Sequence, residues 1–496
     1  MSHYDLTRRT FIATVTAASL AKADDPWVDL FNGRNLDGWR ADKNLGGLWK
    51  ATGGELVAGG PGPALFYSGS LRSADFRNFE LEIEALTSPD CNAGLFFHTA
   101  YQLAETPEKG LKIQIGNMAL RAADDPGGQK TGSLRGRRNI FKALAADDEW
   151  CKINLVVRGK TVQVRVNGSL LVDYTESNPP FIPPGTQPGR FIDHGTFALQ
   201  CAGARSKVRF RKIQIRVLPD GLPSLGTAPR MDEVYRQILT LNARNYPVVD
   251  YHVHLKEGLK IEEALAKSRY DGIEYGIAVN GGKGFPIESD AGAQDFFETM
   301  KGQPTFIAMQ AEGREWTKMF TPRAVGLFDY VFTDSMTWTD DSGKRMRTWI
   351  PEEVGTIADP ETFLETLVAR AVKLLEEEPI DIYVNPTYLP DSIAQDYDRL
   401  WTEDRMRRVA AAAARNRVAI ELNTRYRIPS PAFVRMAKQA GCKFTFGTNN
   451  AGPTDLKRSE YGLQMVDACQ LRPQDFFVPG AWWPKAMERK AGALRG

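Results

Sequence analysis

Near residue 218 the hydrophobic period of the chain changes, and this change constrains the fold more than any other feature. From Trp27 to Val217 the apolar residues fall in short runs of period two. Phe79-Glu80-Leu81-Glu82-Ile83-Glu84-Ala85 alternates apolar and acidic positions, as a half-buried strand does. Arg158-Gly159-Lys160 and Asn167-Gly168 separate strand-like runs, and Asn-Gly supplies the positive φ of a tight hairpin turn. Pro219 to Pro229 is rich in Pro, Gly and Ser and reads as a linker. Beyond Met231, apolar runs at 248–250, 273–279, 305–309, 330–333, 380–384, 419–422 and 443–446 alternate with helical patterns such as 261–268, 360–378 and 402–416. The first texture predicts a β-sandwich of jelly-roll type. The second, with seven β/α steps, predicts a parallel α/β barrel of TIM-like form, whose chemistry sits where strands end and loops begin.

At 496 residues the chain is long enough for two such cores. The expected division is a leader at 1–23, a sandwich at 24–218, a linker at 219–230, a barrel at 231–480 and a tail at 481–496. A net charge of +2 without a basic stripe argues against a nucleic-acid partner. The five cysteines are scattered and form no CxxC, so buried free thiols are expected rather than a zinc ribbon. Thr7-Arg8-Arg9-Thr10-Phe11 opens a short apolar run that ends in Ala21-Lys22-Ala23. Twin arginines and an A-x-A site resemble a twin-arginine export signal, and the run is too short to span a membrane. A periplasmic or secreted location without a transmembrane anchor is therefore expected. Oligomeric state is left open.

Leu30-Phe31-Asn32-Gly33-Arg34-Asn35-Leu36-Asp37-Gly38-Trp39 resembles the opening signature of the 3-keto-disaccharide hydrolase family, a family of concanavalin-like sandwiches. Trp49 to Ala58, Asn78 to Leu81, Cys91 to His98, Lys112 to Ile115, Thr131 to Leu134 and Val208 to Ile213 follow in the family's order. The resemblance implies a carbohydrate partner and action on glycosides oxidised to a ketone at C3. Such a ketone acidifies the proton on C2. Once that proton is removed, the group at C1 leaves by β-elimination, and water adds to the enone. The reaction needs a base, a cation or polar group for the enolate oxygen, and a slot shaped for a sugar. His98 is the candidate base. Lys112 and Arg135 are candidates for the enolate, and Asn92, Gln114 and Trp39 for binding, with Trp49 and Tyr67 as further stacking surfaces. The family carries Arg where His98 stands, Glu where Lys112 stands, and a His that is missing from Leu199-Gln200-Cys201-Ala202-Gly203.

In the second half, Asp250-Tyr251-His252-Val253-His254 places two imidazoles on one side of a strand, within reach of one ion. The chain has only five His. The H-x-H strand resembles the polymerase-and-histidinol-phosphatase family of metal-dependent phosphoesterases; the amidohydrolase superfamily shares that strand. Gln310-Ala311-Glu312-Gly313, Asp329 to Phe332, Asp381 to Pro386, Ala419 to Asn423 and Phe446 to Ala451 follow in that family's order. Asn385, Asn449 and Asn450 stand where it carries His or Asp, so a trinuclear centre is not expected. The resemblance implies one divalent ion (zinc, manganese or calcium) held by His252, His254 and Glu312, with Asn449 or Asp334 nearby. Three readings stay open. The sandwich could be a 3-keto-glycoside hydrolase or lyase assisted by the barrel, a carbohydrate-binding module fused to a metal hydrolase, or a non-catalytic sugar binder.

Overall fold

The structure is a computed structural model that describes residues 26–41, 48–103, 106–122, 127–339 and 344–496. The expected export segment lies outside them. The first half is an antiparallel sandwich. Its larger sheet runs in the order Ser169–Thr175, Thr161–Val166, Cys151–Arg158, Asn78–Thr87, Lys207–Leu218, Glu55–Gly59 and Lys50–Thr52, with Val28–Asp29 on Lys207–Leu218. The smaller sheet runs Trp39–Arg40, Leu65–Tyr67, Thr196–Ala202, Asn92–Thr99 and Leu111–Ile115. Period-two alternation sends Leu81 and Ile83 of one sheet and Leu95, Phe97 and Ile113 of the other into a shared core.

The second half closes seven parallel strands into a barrel: Val249–His254, Glu274–Gly281, Phe306–Ala311, Tyr330–Thr333, Ile382–Tyr383, Ala419–Asn423 and Phe444–Gly447. The sandwich and the seven-stranded barrel both match the sequence expectation. Helix starts follow capping chemistry. Asp359 accepts from the N–H groups of Glu361 and Thr362 ahead of Pro360–Glu377, and Thr402 accepts from Arg405 ahead of Glu403–Arg415. All five cysteines are buried and free. Among the described residues no helix is long and apolar enough to cross a membrane.

The segment after residue 218 is pinned to the end of the larger sheet, because Asn78 Nδ2 donates to the carbonyls of Pro219 and Asp220. Residues 481–496 pack on the barrel, where Ala486 N donates to Asp381 (2.7 Å) and Ala486 and Leu494 are buried. Sandwich residues 138–142 dock on the barrel end where strands begin. Arg138 donates to Tyr235 OH (2.7 Å) and to the carbonyl of Arg269. Asn139 exchanges hydrogen bonds with Asn242. Phe141 inserts among Val249, Tyr251, Phe306 and Tyr330.

Glu274 anchors this junction by accepting from Phe141 N (2.8 Å) and Lys142 N (2.9 Å). Removing the acceptor orphans two buried donors, so Glu274→Ala is expected to cost about 2–5 kcal/mol in urea unfolding. Burial lifts the carboxyl from its ordinary 4.5 to about 7. Folding therefore takes up a proton between those values. The stability from this group is fully present below about 4.5 and lost as pH rises through about 7. Glu274→Gln should remove that slope, which unfolding at pH 4.5 and pH 8 would show.

Candidate functional site

The small sheet builds a polar pocket on the face turned away from the core. Asn92, Gly94 and Phe96 share that face, as do Lys112 and Gln114, and Ala198, Gln200 and Ala202 on the neighbouring strand. The pocket is about 380 Å³, a size suited to a small ligand. Lys112 Nζ lies across its floor, donating to Asn92 Oδ1 (3.0 Å) and Gln200 Oε1 (2.9 Å). A glycine is required beneath it, since a Cβ on Gly94 would sit 2.2 Å from Lys112 Cε. Segment 131–135 runs beside Leu111–Ile115, and Arg135 N donates to the Lys112 carbonyl (2.9 Å), which brings Arg135 to the wall. Arg137 and Arg190 add two more cations, and Ala243 and Asn245 of the second half close one side.

Four sandwich assignments are corrected. His98 shares sequence parity with Asn92 and Phe96, but its φ of 55° at the strand end turns the ring inward, edge-on to Phe79. Its Nε2 lies 2.9 Å from the Arg77 carbonyl and its Nδ1 accepts from Asp193 N, so both nitrogens are occupied. Burial holds its pKa down at about 4, and it does not line the pocket; it is not placed to act as a base. Trp39 is a core residue donating to the Leu30 carbonyl, and Trp49 one donating to the Pro63 carbonyl, so neither offers a stacking face. Gln114 is fully buried; its Oε1 accepts from Arg135 (3.4 Å) and it supports the pocket from below. Asn92, Lys112 and Arg135 do come together, with Gln200, Arg137 and Arg190 beside them. Nothing in the sequence around Arg137 or Arg190 marks them as pocket residues.

At the opposite end of the barrel, where strands finish, a second polar centre gathers His252, His254, Asn280, Glu312, Asp334, Asn385, Glu421 and Asn423. Asp250 ties its floor by accepting from His252 N, Thr448 N and the Thr448 hydroxyl. His252 Nδ1 lies 2.6 Å from Glu421 Oε1, and His254 Nδ1 lies 3.1 Å from the Ala278 carbonyl. Glu421 also accepts from Asn385 N (2.7 Å) and Asn423 Nδ2 (3.0 Å). Gly447 allows this, because its Cβ would stand 1.9 Å from Glu421 Oε1.

The four predicted ligands differ in how well they fit a metal ion. Nε2 of His252 is buried without a hydrogen-bond partner among the described residues, and Nε2 of His254 is buried with only the Gln310 side chain near it, outside good hydrogen-bond geometry. Burial keeps His254 neutral by holding its pKa well below the usual range. Imidazoles held at Nδ1 by a carboxylate or a carbonyl present Nε2 as metal ligands do. Glu312, however, accepts from Asn280 Nδ2 (2.8 Å), and burial together with Asp334 lifts its carboxyl well above the usual range. Asn449 donates to Asn385 Oδ1 (3.3 Å). Among the described residues no three His, Cys, Asp or Glu side chains are grouped to hold an ion. The four-ligand set of His252, His254, Glu312 and Asn449 is therefore not assembled; the two imidazoles fit an ion and the other two are committed to neighbours. Asn385 and Asn449 have φ of 48° and 51°, a left-handed backbone that Asn tolerates at strand-to-loop turns. Glu421 was legible only as part of an E-x-N strand.

The fold and the two centres define a class: an antiparallel sandwich with a cationic polar pocket, joined to a parallel barrel with a buried histidine pair. Residues 26–216 match the family described as a 3-keto-alpha-glucoside-1,2-lyase-like domain. Among solved structures, a putative glycosyl hydrolase from Parabacteroides distasonis is similar at 20% identity, covering 40% of this chain and 96% of its own, with a TM-score of 0.32. Histidinol phosphate phosphatase from Lactococcus lactis, complexed with zinc, L-histidinol and phosphate, is similar at 13% identity, covering 46% and 95%, with a TM-score of 0.34. The carbohydrate-binding module CBM66 of Bacillus subtilis is similar at 12% identity, covering 36% and 95%, with a TM-score of 0.24. No curated protein matches the chain.

Proposed function

We propose that the protein is an exported carbohydrate-active enzyme whose sandwich pocket cleaves glycosides carrying a ketone at C3. The observation that carries this reading is the convergence of Asn92, Lys112, Gln200 and Arg135 in one pocket, on strands within the family-matched segment. Asn92 and Gln200 aim the Lys112 ammonium. That ammonium, backed by Arg135, faces the ketone oxygen and stabilises the charge that develops there when C2 loses its proton. The group at C1 then departs and water adds to the enone. The C2 proton passes to a base, which the described lining residues do not include.

The same observation favours a second reading, in which the pocket binds sugar and the chemistry lies in the barrel. There His252 and His254 would hold one divalent ion, which when bound would supply Lewis acidity. Glu421 and the Ala278 carbonyl orient the two rings. The two centres lie at opposite ends of the barrel, so each would act on its own ligand.

Incubation of the full chain with a 3-keto-glucoside, with and without chelator, separates the readings. Release of the leaving group that survives chelator is the expected result. Release that stops with chelator places the chemistry in the barrel, and no release rejects the lyase reading. Export through the Arg8-Arg9 segment is tested by cell fractionation of the parent and an Arg8→Lys, Arg9→Lys variant.

A further inference from the structure

Three buried polar atoms that lack a well-formed hydrogen bond among the described residues converge where the barrel strands end. Two are the Nε2 atoms of His252 and His254; the third is Oε1 of Gln310. Gln310 is 7% exposed, and its side chain stands beside His254. A buried amide oxygen left bare costs about 1–3 kcal/mol, so such an atom calls for a partner. Strand register explains why the three meet. His254 pairs with Ala278 and Ala278 with Ala308, so these residues stand at one level of the barrel. Both alanines belong to the barrel interior and are small. Gln310 is the next inward-facing residue after Ala308 and pairs with Phe332. The Phe332 ring lies 4.7 Å from His252 and 6.4 Å from His254 between centroids, and the two imidazoles are 5.2 Å apart. The acidic neighbours are engaged otherwise. Glu312 accepts from Asn280 (2.8 Å), and Asp334 accepts from Asn385 (3.0 Å) and Met336 N (2.9 Å).

We propose that Gln310 is the third protein ligand of a zinc-class ion, its Oε1 completing a set with the Nε2 atoms of His252 and His254. The inference rests on the reading in which the barrel holds an ion, and it names the missing donor and the class of ion. An amide oxygen has two lone pairs and needs no deprotonation to meet a cation. Three protein donors leave a fourth position for water, as in zinc sites that act on substrates. Two imidazoles and one oxygen suit zinc and its neighbours in the first row. They do not suit calcium, which gathers about six to eight oxygens.

Titration of the metal-free full chain with zinc and with calcium against chromophoric competitors, joined to a crystal structure of the zinc-loaded chain, tests it. The parent is expected to bind zinc, and calcium at least roughly 10²-fold more weakly. Gln310→Leu keeps the bulk of the side chain without its oxygen and should bind zinc at least roughly tenfold more weakly. Gln310→Glu puts a charged oxygen in the same place and should bind zinc at least as tightly as the parent. Melting temperature of each metal-free variant confirms that it folds. The crystal reads the parent itself, where Gln310 Oε1 should lie about 2.0–2.2 Å from the metal. An oxygen more than about 3 Å away makes Gln310 a support of His254 and overturns the inference. Parental affinity in Gln310→Leu, or weaker binding in Gln310→Glu, overturns it too. In each of these cases zinc bound by the parent leaves the ion reading standing. Calcium bound as tightly as zinc overturns the class of ion. No zinc bound by the parent overturns the ion reading and the inference with it.

Discussion

Lys112→Gln is expected to lower kcat on a 3-keto-glucoside by about 10²–10³-fold, the usual cost of removing one donor aimed at a developing oxyanion. Glutamine keeps a polar group over Gly94 and can still bond to Asn92 or Gln200, so the pocket should hold its shape and the melting temperature should stay close to the parent's. What it loses is the charge. A neutral amide stabilises an enolate far less than an ammonium held at 3.0 Å and 2.9 Å by two side-chain oxygens. KM should change much less than kcat, because the substrate ketone carries little charge before C2 is deprotonated. Gln200→Ala leaves the ammonium in place but frees one of its supports, and should cost less. A Lys112→Gln variant with parental kcat would remove Lys112 from the chemistry.

Glu421→Gln is expected to weaken zinc binding by about 10–100-fold, the usual effect of losing a partner behind a ligating imidazole. The carboxylate holds three groups at once: His252 Nδ1, Asn385 N and Asn423 Nδ2. An amide cannot serve all three as acceptor, and its NH₂ meets donors. His252 would then lose the contact that fixes its tautomer and leaves Nε2 inward. Titration of the metal-free full chain with zinc against a chromophoric competitor reads the effect directly, without an assay of activity. Glu421→Ala goes further, since it leaves buried donors unpaired, and should destabilise the protein by about 3 kcal/mol or more. Zinc affinity unchanged in Glu421→Gln would show that the Glu421–His252 pair serves the barrel fold rather than an ion. His252→Ala and His254→Ala should each abolish tight binding.

Much of the architecture was legible in the residues because it depends on local period. Alternation in 79–85 and the Asn167-Gly168 turn dictate strands and a hairpin, whatever lies opposite. The barrel run at 330–332 is apolar on both faces because helices cover one side and the barrel interior the other. The pocket was legible in part for the same reason: parity places Asn92 and Lys112 on the outer face of their strands. His98 shows where parity stops being informative. Its strand ends in a left-handed residue, and one such dihedral redirects a side chain from the pocket to the core. Trp39 and Trp49 have the right chemistry for sugar stacking, but their indole N–H groups are used by distant carbonyls that no local pattern reveals.

The sequence alone determined the two architectures, the junction near residue 218, the buried cysteines, the H-x-H strand and the polar strand positions of the sandwich. These follow from hydrophobic period, turn chemistry and side-chain direction, each set within a few residues. Only the tertiary structure decided which polar side chains meet. Arg137 and Arg190 lie 53 residues apart in the chain yet share a pocket wall, and His252 and Glu421 lie 169 apart yet share a proton contact. It likewise decided that Glu312 and Asn449 are engaged by Asn280 and Asn385, and that the sandwich docks through Glu274 at the barrel end opposite the histidine pair. Such pairings depend on how strands register and close over long separations, and on the need of every buried charge for a partner that local sequence does not name.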